Sequence, residues 1–126
     1  MAPARRILIV DDEDDIREVA QVSLELVGGY EVLTASSGRD GLQRARDDQP
    51  DAILLDVMMP DMDGPATLAA LRADPRTRDI PVIFLTARTY SAERHRLAQL
   101  GAAAILTKPF DPLKLAGDLA EALKWT

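Results

Sequence analysis

The sequence predicts an α/β fold of the doubly wound (βα)5 type, in which a parallel five-stranded sheet lies between two layers of helices. The first reason is that short apolar runs alternate five times with segments of helical periodicity, the order typical of βαβ units. The second reason is that the apolar runs are continuous and do not alternate with polar residues, as expected when helices cover both faces of a sheet.

Length and composition favour one compact domain. The chain has 126 residues, of which 47% are hydrophobic and 29% are charged, and we expect a single domain over residues 1–126 with its core at about 6–124. The absence of cysteine excludes disulfides and thiolate metal sites. The formal net charge of −6 argues against direct binding of this domain to nucleic acid.

The sequence contains no recognisable segment for export or for membrane insertion. After Arg5 and Arg6, a short apolar run leads directly to an acidic cluster, so the run is too short for a secretory signal. No apolar stretch approaches the roughly 18 residues that a membrane span needs. We therefore expect a soluble, cytoplasmic protein with no membrane contact.

The first βα unit begins with a strand over Arg6–Val10. A helix is predicted after it because apolar residues recur at helical spacing, with Asp14 as a plausible N-cap and the pair Gly28-Gly29 as a stop signal. The apolar positions that define this period are Ile16, Val19, Ala20 and Val27.

The next two units follow the same plan. A second strand is predicted over residues 30–35, and the helix after it ends at Gln49-Pro50. A third strand over residues 52–55 leads into a loop rich in turn residues that ends at Gly64. Pro65 fits the first turn of the third helix, where its missing N–H costs nothing.

The last two units complete the sheet. The fourth strand is predicted over residues 81–85 with a helix near 92–100, and the fifth strand over residues 103–106 with a helix from Pro112 to about Trp125. We expect a flavodoxin-like three-layer sandwich with strand order 2-1-3-4-5. In this order ligands bind outside the carboxyl ends of the strands, between strands one and three, where the strand order reverses.

Polar residues follow four of the predicted strands, at the point where each apolar run ends. Asp11 and Asp12 follow the first strand, Asp56 follows the third, Thr86 follows the fourth and Lys108 lies just after the fifth. Because parallel strands end at the same edge of a sheet, we expect three carboxylates, a hydroxyl and an ammonium to meet there. This set of groups is typical of a Mg²⁺-dependent phosphoryl site.

Charge makes a cation necessary at this edge. Two carboxylates 4 Å apart repel each other by about 4 kcal/mol at an effective dielectric constant near 20. Three carboxylates, one ammonium and one Mg²⁺ are together neutral, and Mg²⁺ prefers hard oxygen ligands. Asp56 is alone at the end of its strand, so we expect it to be the nucleophile, with Asp11 and Asp12 at the metal. Thr86 and Lys108 are suited to holding phosphoryl oxygens.

Four segments resemble the motifs of the response-regulator receiver domain of two-component signalling. They are Val10-Asp11-Asp12-Glu13, residues 54–64, Leu85-Thr86-Ala87 and Thr107-Lys108-Pro109-Phe110. The resemblance extends over residues 6–124, with the motifs in the family order. The chain resembles single-domain, chemotaxis-type regulators, and it equally resembles a receiver domain excised from a longer regulator. It implies that Asp56 accepts a phosphoryl group from a histidine kinase or a histidine phosphotransfer protein.

The resemblance also implies individual site roles. Asp12 and Asp56 would bind Mg²⁺ directly, together with the backbone carbonyl of Met58, whereas Asp11 would act largely through water. Thr86 and Lys108 would contact the phosphoryl group. The Lys108-Pro109 peptide bond would be cis. The residues tied to phosphoryl lifetime in this family correspond to Met58 and Arg88.

In the family, phosphorylation alters the face formed by the fourth helix, the fifth strand and the fifth helix, to which an output protein or a second copy binds. We accordingly expect a monomer or a phosphorylation-linked dimer. An aromatic residue near the fifth strand usually moves with the switch threonine, but this chain has Ile105 at that position. A rotating aromatic ring therefore cannot be the switch there.

Two other functions fit parts of the same pattern. One is an interaction module of the same fold that works without phosphorylation. The other is a small Mg²⁺-dependent phosphatase of the haloacid-dehalogenase type, but its nucleophile belongs to an Asp-x-Asp motif on the first strand, which Asp11-Asp12-Glu13 lacks. We expect no enzyme activity beyond catalysis of the domain's own phosphorylation and dephosphorylation.

Overall fold

Strands and helices alternate along the chain as predicted. The computed structural model describes residues 4–87 and 91–125. The strands are β1 (Arg6–Val10), β2 (Glu31–Ala35), β3 (Ala52–Asp56), β4 (Val82–Thr86) and β5 (Ala104–Thr107). The helices are α1 (Asp14–Leu26), α2 (Gly38–Asp48), α3 (Gly64–Ala73), α4 (Ser91–Ala98) and α5 (Leu115–Leu123). Within the described ranges, none of these helices has the length and apolar character needed to cross a membrane.

The five strands form one parallel sheet in the order β2-β1-β3-β4-β5, which confirms the predicted topology. Leu8 in β1 lies opposite Leu33 in β2 on one side and Ile53 in β3 on the other. The strand order reverses between β1 and β3. The carboxyl ends of these two strands are therefore neighbours at one edge of the sheet.

The core consists of two apolar layers, one on each face of the sheet. Alternate residues of β1 enter different layers, since Leu8 and Val10 pack on one face and Ile7 and Ile9 on the other. The first layer includes Leu42 of α2, Leu68 and Leu71 of α3, and Leu97 of α4. The second layer includes Ala20 and Leu24 of α1 and Leu115, Ala116 and Leu119 of α5. The predicted three-layer sandwich is confirmed.

Three strands extend one residue beyond their apolar runs. Asp56, Thr86 and Thr107 are the last strand residues, although the sequence pattern placed them just after the strands. The backbone ladder continues here because the Val57 N–H donates to the Leu85 carbonyl at 3.1 Å and the Lys108 N–H donates to the Thr86 carbonyl at 2.8 Å. The polar side chains at this edge are therefore attached to the rigid sheet and not to flexible loops.

Helix α1 differs from its prediction at its N-terminus and in its buried face. The N-cap residue is Glu13 and not Asp14. Val19 and Val27 belong to the helical period, but both are exposed, because α1 packs on the sheet through the narrower stripe of Ala20 and Leu24. An apolar strip of α1 therefore faces outward.

The C-terminus closes the layer formed by α1 and α5. Helix α5 begins at Leu115, three residues later than predicted, because the preceding segment forms turns with the Asp111 carbonyl. Trp125 packs edge to face against Tyr30, with 5.8 Å between ring centroids, and the Arg5 guanidinium lies 4.3 Å from the Trp125 ring centre. The Trp125 side chain thus covers the end of this layer.

Two glycines provide a matched test of the packing beside the site. A Cβ at Gly64 would lie 2.6 Å from the Asp56 carbonyl oxygen, whereas a Cβ at Gly117 in α5 meets no described atom within 4 Å. We predict that Gly64→Ala lowers the free energy of unfolding by about 1 to 3 kcal/mol, through overpacking against backbone. Gly117→Ala should raise it by about 0.5 to 1 kcal/mol, through helix propensity. Urea unfolding measures both changes, and equal effects of the two variants would contradict the packing described here.

Candidate functional site

The carboxyl ends of β1, β3 and β4 bring the predicted site residues to one edge of the sheet. Asp11 directly follows β1, Asp56 is the last residue of β3, and Thr86 is the last residue of β4. Asp56 lies opposite Leu85 in the β3–β4 register, so Thr86 extends one residue further along the neighbouring strand. Asp11, Asp56 and Thr86 are all buried.

Backbone contacts fix the position of Asp11. Its N–H donates to the Ala35 carbonyl of β2 at 3.1 Å, and its own carbonyl accepts a hydrogen bond from the Arg17 guanidinium of α1 at 2.9 Å. Its side-chain Oδ1 accepts the Glu13 N–H at 2.9 Å. The Asp11 carboxylate therefore cannot turn away from the cluster without breaking local hydrogen bonds.

Four carboxylates converge at this edge. Asp11, Asp12, Glu13 and Asp56 each place one oxygen so that the four atoms lie within 4.8 Å of one another. Asp11 and Asp56 are 1% and 3% exposed, whereas Asp12 and Glu13 face solvent. The sequence analysis placed Asp11, Asp12 and Asp56 here but missed Glu13, although Glu13 directly follows the acidic pair.

Lys108 joins three of these carboxylates. Its Nζ lies 3.0 Å from Asp11 Oδ2, 3.2 Å from Asp56 Oδ1 and 3.3 Å from Glu13 Oε1. The Lys108 side chain is only 10% exposed. The peptide bond that follows, Lys108-Pro109, is cis, as the resemblance implied. The Lys108 ammonium thus links the carboxylates at the carboxyl ends of β1 and β3.

Burial and neighbouring charges shift the pKa values of Asp56 and Lys108. Burial, together with the neighbouring Asp11 carboxylate, raises the pKa of Asp56 to about 7, against the attraction of Lys108. Burial also opposes the charged form of Lys108, but its ion pairs with Asp11 and Asp56 outweigh burial and raise the pKa of Lys108. The ammonium therefore stays charged at neutral pH, whereas the charge on Asp56 is costly.

The oxygens of the cluster fit a hard divalent cation. Asp56 Oδ1 accepts the Met58 N–H at 3.3 Å and contacts Lys108, but Asp56 Oδ2 is buried and has no hydrogen-bond partner among the described residues. Four carboxylates and one ammonium give a net charge of −3 when all are ionised. A buried carboxylate oxygen without a donor, in a cluster of excess negative charge, is suited to a Mg²⁺ ligand.

Of the remaining predicted residues, Met58 lies beside this cluster and Ile105 lies away from it, within β5. Met58 is two residues beyond Asp56, and its side chain is 55% exposed. Ile105 of β5 lies opposite Phe84 of β4 and is half-buried against the core. Arg88, which the sequence analysis connected with phosphoryl lifetime, lies outside the described residues.

Comparison with known proteins agrees with this geometry. A model of the response regulator receiver domain family matches residues 7–120. The chain is 39% identical over 115 residues to the response regulator Rre1 of Synechocystis, covering 91% of this chain and 50% of the relative. It is 40% identical over 122 residues to the phosphate regulon transcriptional regulatory protein PhoB of Pseudomonas aeruginosa, covering 97% and 53%. The chain thus spans about half the length of these relatives.

Solved structures show the same fold. The chemotaxis response regulator CheY4 of Vibrio cholerae superposes with a TM-score of 0.88 at 33% identity, covering 95% of this chain and 99% of CheY4. The signal receiver domain of a signal transduction histidine kinase from Syntrophus aciditrophicus superposes with a TM-score of 0.83 at 35% identity, covering 96% and 91%. With fold, acidic edge and family match in agreement, the chain belongs to the response regulator receiver domain family, the phosphoacceptor component of two-component signalling.

Proposed function

We propose that residues 1–126 act as a single cytoplasmic receiver domain in which Asp56 accepts a phosphoryl group from a phosphohistidine, with Mg²⁺ bound at the acidic cluster. The donor would be a histidine kinase or a histidine phosphotransfer protein. The observation that best supports this proposal is the geometry of Asp56. Its buried Oδ2 has no hydrogen-bond partner among the described residues, while Lys108 and a cluster of carboxylates surround it.

The chemistry is an in-line displacement at phosphorus. Asp56 Oδ2 forms a bond to phosphorus while the P–N bond of the phosphohistidine breaks, and the electron pair of that bond stays on the imidazole nitrogen, which takes up a proton. A Mg²⁺ ion held by the acidic cluster would supply positive charge against the charge that gathers on the phosphoryl oxygens. Asp56 Oδ1, held by the Met58 N–H and Lys108, keeps the carboxylate oriented for the reaction.

The other groups divide between the metal and the phosphoryl oxygens. Asp12 is an exposed member of the cluster, so it can bind Mg²⁺ directly with Asp56 and the Met58 carbonyl. Both oxygens of Asp11 already have partners, the Glu13 N–H and Lys108, which suits a contact through water. Thr86 at the end of β4 and Lys108 are the groups proposed to hold the phosphoryl oxygens.

The domain is a signalling component and not a classical enzyme. The phosphatase alternative needs its nucleophile at the end of β1, but there Asp11 is tied to the Glu13 N–H and to Lys108. Asp11 Oδ2 and Asp56 Oδ2 are both buried without a hydrogen-bond partner among the described residues, but Asp11 Oδ2 is ion-paired with Lys108, whereas Lys108 contacts the other oxygen of Asp56. Catalysis by the domain would therefore be limited to its own phosphorylation and dephosphorylation.

An apolar groove beside the site fits the protein that donates the phosphoryl group. Its walls are α1, which begins directly after Glu13, and the loop that follows Lys108. The lining residues are Glu18, Val19, Val22, Ser23, Leu26, Val27, Pro112 and Leu113. The Ser23 hydroxyl donates to the Pro112 carbonyl and so connects the two walls.

The groove presents large apolar side chains to solvent. Leu26 is 81% exposed and Leu113 is 78% exposed, which is unusual for leucine outside a binding surface. Among the described lining residues Glu18 is the charged one, so the groove suits a partner with an apolar ridge and a basic residue beside it. Since α1 begins directly after Glu13 and the second wall follows Lys108 in sequence, we propose that a donor bound here presents its phosphohistidine to Asp56.

The output surface is proposed to be the face of α4, β5 and α5. β5 is an edge strand whose four residues are all half-buried, so this face is open to a partner. Ile105 lies between α4 and α5 and contacts the core. Without an aromatic ring at this position, phosphorylation would act on the partner surface through displacement of the loop after Thr86.

Phosphoryl labelling tests directly whether Asp56 is the phosphoacceptor. With Mg²⁺ and acetyl phosphate, the protein should gain one phosphoryl group in intact-protein mass spectrometry, and Asp56→Asn should gain none because it lacks the nucleophile. Asp61→Asn is the matched control: Asp61 is exposed on the same loop at φ 66°, a backbone conformation that asparagine also adopts, and the variant should be labelled normally. Equal labelling of Asp56→Asn and the unmodified protein would exclude Asp56 as the acceptor.

The raised pKa of Asp56 makes the free energy of unfolding of the metal-free protein depend on pH. The pKa of Asp56 is raised from 3.8 to about 7, so the folded protein keeps a proton that the unfolded chain releases. As pH rises from about 4 to 7, Asp56 should therefore destabilise the metal-free fold progressively, by up to about 4 kcal/mol. Asp56→Asn should remove this cost, so its stability advantage in urea unfolding with chelator should be small near pH 4 and full above pH 7. A constant difference between the two proteins across this range would contradict the raised pKa.

A substitution of Leu113 tests whether the groove binds the phosphoryl donor. Leu113→Lys should slow phosphoryl transfer from a phosphorylated histidine kinase about tenfold or more, in line with the loss of an apolar anchor at an interface. It should leave labelling by acetyl phosphate unchanged, because Leu113 is absent from the cluster. Leu100→Lys, at an exposed leucine after α4, is the control and should affect neither reaction. If Leu113→Lys accepted the phosphoryl group from the kinase at the normal rate, the groove would be excluded as the donor-binding surface.

A further inference from the structure

Glu13 lies at the site, but the proposed chemistry gives it no part. Its backbone N–H donates to Asp11 Oδ1 at 2.9 Å, and its side-chain Oε1 accepts from Lys108 Nζ at 3.3 Å. Glu13 is the N-cap residue of α1, yet its side chain makes no capping hydrogen bond within the described structure. The Glu13 side chain is therefore available for Lys108.

The three carboxylates that surround Lys108 differ in their access to solvent. Asp11 and Asp56 are buried beneath the ammonium, whereas the Glu13 side chain is 60% exposed. In the structure without metal, the ammonium neutralises part of the negative charge of this cluster. A bound cation would neutralise the same carboxylates. A divalent cation on Asp56 and an ammonium on the same carboxylate would repel each other strongly.

We propose that Glu13 is a positioning residue for Lys108, because its carboxylate retains the ammonium when a divalent cation binds to the inner carboxylates. This inference rests on the proposed function. Of the three partners of Lys108, Glu13 is the one at the mouth of the cluster, so a small outward movement of Nζ keeps this ion pair while the contacts to Asp11 and Asp56 lengthen. Lys108 then remains near Asp56, ready to hold a phosphoryl oxygen.

The side chain of Glu13 can be tested separately from its backbone. Glu13→Gln keeps the N–H that Asp11 Oδ1 accepts and removes only the negative charge. Glu25→Gln is the matched control, because Glu25 is an exposed glutamate on α1, outside the groove, whose replacement changes the net charge equally. Neither change removes a buried group, so both variants should fold.

The chain is well suited to direct observation of Lys108. It contains three lysines, Lys108, Lys114 and Lys124, of which the last two are exposed. Exposed ammonium protons exchange rapidly with water, whereas those of a buried, ion-paired ammonium exchange slowly and give a sharp signal in ¹H–¹⁵N spectra of lysine side chains. The signal that is absent from Lys108→Gln identifies Lys108.

Without Mg²⁺ the Lys108 ammonium signal should be present in the unmodified protein, in Glu13→Gln and in Glu25→Gln. With saturating Mg²⁺ it should remain in the unmodified protein and in Glu25→Gln, whereas in Glu13→Gln it should broaden beyond detection because its protons exchange with water. A signal that is absent without Mg²⁺, that disappears from the unmodified protein on Mg²⁺ binding, or that survives in Glu13→Gln would overturn the inference. Backbone amide shifts around Asp12 report Mg²⁺ binding independently, so failure of the proposed metal site is recognised separately.

A rate measurement connects this ion pair with the reaction. At saturating Mg²⁺ and acetyl phosphate, Glu13→Gln should be phosphorylated about two- to fivefold more slowly, the size of effect that exposed ion pairs give. Glu25→Gln should react at the unmodified rate. Equal rates for Glu13→Gln and the unmodified protein would show that the Glu13 carboxylate does not position Lys108 for transfer.

Discussion

The repulsion between carboxylates held at the carboxyl edge of the sheet is the constraint on which the rest of the site depends. Parallel strands β1 and β3 place Asp11 and Asp56 at adjacent positions, and both are buried. Their charges cannot be separated without breaking the sheet, and water reaches them poorly. The cluster therefore requires positive charge, from Lys108 in the resting fold and, by our proposal, from Mg²⁺ in addition.

The burial of Asp56 lowers the stability of the fold but serves its proposed reaction. The raised pKa of Asp56 means that its charged form, which is the form needed as a nucleophile, costs folding free energy at neutral pH. The sheet compensates, because Asp56 and Thr86 are strand residues anchored by backbone hydrogen bonds beyond their apolar runs. A rigid scaffold can hold an unfavourable charge cluster in place, whereas a flexible loop would relax and separate the charges.

The site is also connected to two surfaces. The groove is lined by α1, which begins directly after Glu13, and by the loop that follows Lys108, and by our proposal a donor bound there reaches Asp56. On the other side, β4 and β5 connect Thr86 with the face of α4 and α5. Ile105 at that face is an aliphatic residue packed on the core, so rotation of an aromatic ring at this position plays no part in the switch that we propose.

The sequence alone determined the order of strands and helices, the doubly wound topology and the cluster of Asp11, Asp12, Asp56 and Lys108. These follow from local information, since apolar runs, stop signals and motif residues are read along the chain. The structure decided what depends on distances between segments far apart in sequence. Glu13 joins the cluster because α1 begins beside β1 and Lys108 reaches back from the end of β5. Val19 and Val27 share the helical period of the buried residues, yet they are exposed, because periodicity identifies a helix but only packing decides how much of its apolar face the neighbouring elements cover.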